Sequence, residues 1–205
     1  MEVNNSVTGE IMATLPDFGF KKGWTYEAII SCFNIDTPHA APFGIKLIDI
    51  NRVQLEIYKG SNTLGGLLST GEFIINFINS PIYFYESIYE GEKLSFTRAK
   101  NVKAPVIKDC TAYIEARVSG NEEKKESYII DAEIISTTMK NAPVLFNRAE
   151  GLVIESLITA TRVKYLPEGE AEKILKENYR VIKKVAPDSA CVKTMEKLLS
   201  KCGTF

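Results

Sequence analysis

The sequence predicts a mainly β protein, an antiparallel barrel followed by a helical C-terminal segment (α+β), and three observations carry that expectation. Strand-like runs recur through the first two thirds, at residues 26–34, 53–58, 73–78, 112–118 and 128–136. One short helix-like stretch interrupts them, which argues against a doubly wound sheet, where strands and helices alternate. Past about residue 143 the apolar period becomes that of helices and stays so. The expected division is residues 1–143 for the barrel and 144–205 for the helical segment.

Each element has its own warrant. Residues 26–34 (YEAIISCFN) are rich in β-branched and aromatic side chains, and residues 34–45 (NIDTPHAAPFGI) read as a proline-containing loop into the next strand. In residues 53–58, Val53, Leu55 and Ile57 face one way and Gln54 and Glu56 the other. Residues 73–78 (FIINFI) are almost continuously apolar, as in a strand covered on both faces. In residues 112–118, Ile114, Ala116 and Val118 oppose Tyr113, Glu115 and Arg117; the polar residues 119–126 then separate this run from residues 128–136, as in a hairpin with a solvated tip. Helical periodicity follows over residues 148–166, 168–186 and 188–202, with Pro167 and Pro187 at the two breaks.

Charge and rare residues narrow the function. Among 205 residues, 25 Lys and Arg face 26 Asp and Glu, and this near-neutral balance argues against a nucleic-acid partner. His39 is the one histidine, so no His-rich metal site can be built in a protomer and any histidine-dependent nucleophile would have to use it. Cys32, Cys110, Cys191 and Cys202 are scattered without metal or redox spacing. Cys32 and Cys110 read as small buried hydrophobes. Residues 1–10 lack the apolar core of a secretory leader, and no run of 18 apolar residues occurs, so the expected compartment is a reducing cytoplasm.

Residues 60–71 (GSNTLGGLLSTG) carry the strongest chemical signal: twelve residues without a charge, four of them glycine. Ser61 is a good N-cap, and Leu64, Leu67 and Leu68 have helical spacing, so a strand ending at Tyr58, Lys59 and Gly60 feeds a helix N-terminus lined by Ser61, Asn62 and Thr63. Unpaired amides and hydroxyls there suit a phosphate, although the segment is neither a P-loop nor a dinucleotide fingerprint. A capped helix after a strand is, by itself, commonly structural. His39 reads as a locally bonded loop residue, and Tyr83, Phe84, Tyr85 and Tyr89 as an aromatic stripe packed on the barrel.

The series YEAIISCFN…HAAPFGI…VQLEIYKGSNTLGGLLSTGEFIINF resembles the flavin reductase-like FMN-binding split barrels, and within them an uncharacterised, mostly archaeal branch (DUF447-like). Residues 143–151 (PVLFNRAEG) are similar to the end of the last barrel strand in flavin reductases, and the helices beyond to that branch's C-terminal region. The resemblance implies that Ser61 and Thr63 bind the FMN phosphate, flanked by Lys59 and Gly60 and helped by the amides of residues 61–63, Asn62 among them. It lays the backbone of Ala41, Pro42, Phe43 and Gly44 along the isoalloxazine ring. Arg148 falls on a basic position that serves the phosphate or the partner subunit's flavin, and Asn147 beside it on a position able to bond the ribityl chain or the ring. Against these stand plain structural roles: a helix cap for Ser61, solvation for Lys59, an ion pair for Arg148. Gly66 departs from the pattern, because many flavin reductases carry asparagine there.

The function so implied is that of an FMN-dependent oxidoreductase of flavin reductase type, a homodimer with flavin at the subunit interface. Its electron donor would be NAD(P)H or another reduced carrier, and its reactive atom would be borrowed from the cofactor. A flavin-binding protein for storage, delivery or electron transfer, without turnover of its own, is the alternative. No sequence feature marks a nicotinamide site, and the two stay open here.

Overall fold

The structure, a computed structural model, describes residues 11–12 and 18–202; the expectation about a leader in residues 1–10 lies outside them. Among the described residues, nine strands and five α-helices follow in chain order: β1 (Ile11–Met12), β2 (Thr25–Asn34), β3 (Thr37–Asp49), β4 (Arg52–Tyr58), α1 (Asn62–Thr70), β5 (Glu72–Phe77), α2 (Ile82–Tyr89), β6 (Phe96–Arg98), β7 (Pro105–Ile107), β8 (Ala112–Glu123), β9 (Ser127–Met139), α3 (Arg148–Thr161), α4 (Glu170–Val185) and α5 (Ala190–Cys202). The described residues divide into two compact units, one holding residues 27–145 with 11–12 and 18–20, the other residues 21–26 and 146–202.

In the first unit six strands close on themselves in the order β9-β4-β3-β2-β5-β8, with β8 returning to β9 as an antiparallel ring, and β1 adds to β9. Closure leaves this ring without an exposed edge. Directly opposed residues share a face. Ile30 pairs with Ile75 and Ile75 with Ile114, while Ile45 pairs with Leu55 and Leu55 with Ile130. All six are at most 1% exposed, so they form a packed layer of the barrel interior. The other face of β5 is covered as well: Ile74 and Ile78 belong to a cluster with Leu94, Val106, Ile107 and Cys110, against which Tyr83 and Phe84 of α2 pack. That double cover explains the unbroken apolar run. Tyr85 and Tyr89 instead remain exposed, with ring centroids 5.1 Å apart.

Two sequence expectations change here. Residues 34–45 are not a loop: β2 turns at Ile35 and Asp36 directly into β3, a strand of 13 residues that carries both prolines. The turn is tight enough to hold Ile35 at φ 52°, an uncommon conformation for a β-branched residue. Alternation also misplaces Glu115, which is fully buried. Its carboxylate accepts the amides of Lys100, Asn101 and Val102 at 3.2, 2.6 and 2.9 Å, so it holds the loop between β6 and β7. A buried carboxylate is tolerable only with such donors.

The second unit is the expected helical segment. Its core contains Ala149, Leu175, Ile182, Val185, Val192 and Met195, with Trp24 packed against it. Lys183 and Lys184 lie in the last turn of α4 and Glu170 and Glu172 in its first, as the helix dipole favours. Among the described residues, no helix is long and apolar enough to cross a membrane.

Candidate functional site

The site begins where β4 ends. Gly60 has φ 81° with nothing within 4 Å of a built Cβ, so torsion rather than crowding demands glycine there. The reversal delivers Ser61 in extended conformation, and its Oγ accepts the Leu64 amide at 3.2 Å, capping α1. The Ser61 amide reaches the Tyr58 carbonyl at 3.4 Å. Helix geometry leaves the amides of Asn62 and Thr63 without an intrahelical acceptor, and no acidic residue occupies the first turn. The helix stops at Gly71, in the left-handed conformation with φ 69°, whose amide bonds the Leu67 carbonyl at 2.9 Å.

Packing fixes how α1 sits. Thr63, Leu64, Gly66 and Leu67 are buried, whereas Leu68 is largely exposed. A Cβ on Gly66 would lie 2.6 Å from Cys32 Sγ and 2.8 Å from the Phe33 carbonyl oxygen. The departure from the flavin reductase pattern thus has a steric cause: α1 seats on β2 too closely for asparagine. Burial pushes the Cys32 thiol up to about 12, which makes it inert.

The side chains around the helix start have distinct surroundings. Ser61 is half-buried and Asn62 exposed. Thr63 is fully buried, and its Oγ1 lies 2.9 Å from Nε2 of His39. His39 is therefore a strand residue joined to α1, not a loop residue, and burial holds its imidazole below the ordinary histidine value. The Lys59 ammonium is 2.5 Å from the Glu123 carboxylate at the far end of β8 and 5.7 Å above the Tyr128 ring. Hydrogen bonding to Lys59 draws the Glu123 carboxyl below its ordinary value.

β3 contacts both α1 and α2. Its register with β4 covers Ile45 to Asp49, so Ala41, Pro42, Phe43 and Gly44 lie beyond that pairing, all half-buried. The first unit thus brings together Lys59, Gly60, Ser61, Asn62 and Thr63 at one helix start, with His39 tying that start to the strand of residues 41–44. Asn147 and Arg148 belong to the second unit. Asn147 caps α3, accepting the Ala149 amide at 2.8 Å and donating to the carbonyls of Thr25 and Val185 at 2.8 and 2.9 Å, so its amide is engaged in holding that unit together. Arg148 is the exposed first residue of α3. A concavity of about 690 Å³ runs along α4, lined by Glu168, Glu170, Lys173 and Glu177. It is open and rimmed largely by one helix, which suits an organic ring less well than a walled site. Sequence reasoning missed the His39–Thr63 contact and the Glu123 pair, since only folding joins residues 24 and 64 positions apart.

Known structures share this architecture. An FMN-bound protein from Methanosarcina mazei matches with a TM-score of 0.54 and 25% identity over 91% of this chain and 98% of its own. Flavoredoxin from Methanosarcina acetivorans matches at 0.53 with 19% identity, covering 72% and 86%. An NADH:FAD oxidoreductase from Streptomyces globisporus does so at 0.53 with 12% identity, covering 60% and 81%. The closed ring and its helices are those of a flavin reductase-like split barrel. The chain belongs to the family described as protein of unknown function DUF447: residues 26–141 match its N-terminal domain and residues 147–203 its C-terminal part. No curated protein sequence matches it.

Proposed function

We propose that this protein binds FMN non-covalently and acts as an oxidoreductase of flavin reductase type, as a cytoplasmic homodimer with flavin at the subunit interface. The observation that carries the reading is the start of α1: an uncharged, serine-capped helix entered through left-handed Gly60, with Lys59 beside it. The donor set fits a phosphate dianion. The Ser61 hydroxyl has its proton left to give after accepting the Leu64 amide, the Asn62 amide faces no helical acceptor, and the Lys59 ammonium can exchange Glu123 for phosphate. Thr63, buried on His39, works from behind and fixes the first turn. The flavin ring is assigned to residues 41–44 of β3, where Pro42 brings no amide hydrogen and Gly44 no side chain.

Bound there, FMN supplies hydride and single-electron transfer at its own ring. The chain's residues bind and orient it, keep water from one face of the ring, and provide amides toward its pyrimidine edge. The likeness to the FMN-bound Methanosarcina mazei protein, which extends over nearly all of both chains, supports this assignment. In this reading, residues 1–143 form the flavin domain and residues 144–205 a helical accessory.

The test is titration of the purified protein with FMN and riboflavin, followed by anaerobic mixing of the complex with NADH and NADPH. Ser61→Ala is expected to weaken FMN by about 10- to 150-fold, the worth of a hydrogen bond to a charged group, and riboflavin far less. Equal losses for both ligands would remove the phosphate from this helix start. Flavin that nicotinamides cannot bleach would leave a binding protein without this turnover.

A further inference from the structure

His39 is held at one ring nitrogen and open at the other. Nε2 lies 2.9 Å from Thr63 Oγ1. Nδ1 has no hydrogen-bond partner among the described residues, and none of their polar side-chain atoms is both buried and unpartnered, so Nδ1 reaches the surface. The direction of the Thr63 bond follows from burial. Thr63 is fully buried, and among the described residues its hydroxyl bonds His39. If Nε2 carried the hydrogen, the Thr63 O–H would be a buried donor without an acceptor, a state folded proteins avoid. Thr63 therefore donates and Nε2 accepts. Burial lowers the imidazole's affinity for a second proton, which keeps it neutral near pH 7. The remaining hydrogen sits on Nδ1.

This puts an N–H donor on a β3 side chain that Thr63 ties to the start of α1 and that lies two residues from Ala41 along the same strand. Resting on the flavin reading above, we infer that His39 is a ligand contact: Thr63 fixes its tautomer, and its Nδ1–H donates to an oxygen of the ribityl chain that links phosphate to ring.

The experiment compares FMN, riboflavin and lumiflavin, which has the ring but no ribityl chain, on the wild type and on three variants, with ¹⁵N NMR of the imidazole in the free protein. The NMR should show hydrogen on Nδ1. His39→Leu should weaken riboflavin by about three- to tenfold, the effect of one neutral hydrogen bond, weaken FMN by at least as much because Thr63 at the phosphate's helix start also loses its acceptor, and leave lumiflavin unchanged. His39→Asn, whose amide stands near the Nδ1 position, should restore most of the loss; His39→Gln, which reaches the Nε2 position, should not. An Nε2–H tautomer, rescue by glutamine alone, a loss confined to FMN, or equal weakening of all three ligands would overturn the inference, the third of these reducing His39 to a strut for α1. Should the wild type bind none of the three flavins, the functional reading fails and the ribityl contact with it, while the imidazole spectrum still reports whether Thr63 sets the tautomer.

Discussion

Adjacent glycines in α1 should respond in opposite ways to the same substitution. A methyl group at Gly66 would fall short of the 3.4 Å at which ordinary contact begins by about 0.8 Å toward Cys32 Sγ and about 0.6 Å toward the Phe33 carbonyl. The sulfur can shift, but the backbone oxygen belongs to the paired strand β2, so α1 must retreat. Overpacking of this kind costs about 1–3 kcal/mol. Gly65 is exposed, with nothing within 4 Å of a built Cβ, and alanine there only improves the helix, by about 1 kcal/mol. The propensity gain is common to both variants, so their difference isolates the packing cost. At about 3 °C per kcal/mol for a chain of this size, a gap of about 2 kcal/mol separates their thermal midpoints by about 6 °C. Circular dichroism melts should place Gly65→Ala above the wild type and Gly66→Ala well below Gly65→Ala. Because the displaced helix carries Ser61, Gly66→Ala should also lose FMN affinity. Equal midpoints for the two variants would refute the seating of α1 on β2.

Other outcomes follow from the same neighbourhood. Glu123→Gln removes the competitor for Lys59 and should tighten FMN by roughly two- to fivefold while leaving riboflavin unchanged, the modest size reflecting an exposed pair; no change would mean that Lys59 never leaves Glu123 for the ligand. Cys32, with its thiol pushed up to about 12, should resist thiol reagents at pH 8 until the protein unfolds, whereas half-exposed Cys191 reacts in the native state. A His39 followed by proton NMR should titrate with a midpoint below the ordinary value of about 6.5. The sign for stability follows: the unfolded chain takes up this proton first, so the contribution is complete above about pH 6.5 and fades as pH falls through the lowered native value. A midpoint at or above 6.5 would contradict the burial of the ring.

Much of the architecture was legible in local patterns. The alternation of Val53, Leu55 and Ile57 survives as the buried face of β4, and the apolar run at residues 73–78 as a strand covered on both sides. Pro167 and Pro187 do separate the three helices, because proline cannot continue a helix whose amide it lacks. Ser61 caps α1 as its neighbours indicate, since an N-cap acts over three residues. Where pattern failed, distance was the cause. Residues 34–45 look like a loop because prolines and glycine disfavour a strand interior, but lying beyond the β4 pairing spares part of the run the hydrogen bonds that proline would break. Glu115 looks solvent-facing because a carboxylate normally is; three amides from a loop 13 to 15 residues away make its burial tolerable.

The sequence by itself determined most of the elements, the class of fold and the helix start that suits a phosphate, because periodicity, capping and proline geometry act within a few residues. Tertiary structure alone decided which side chains meet at that start. It set Glu123 against Lys59, pressed Gly66 onto Cys32, and brought His39 to Thr63, where burial of a single hydroxyl proton dictates the tautomer of the chain's one histidine. Those meetings depend on strand register and closure of the ring, which join residues far apart along the chain and leave no periodic trace in it.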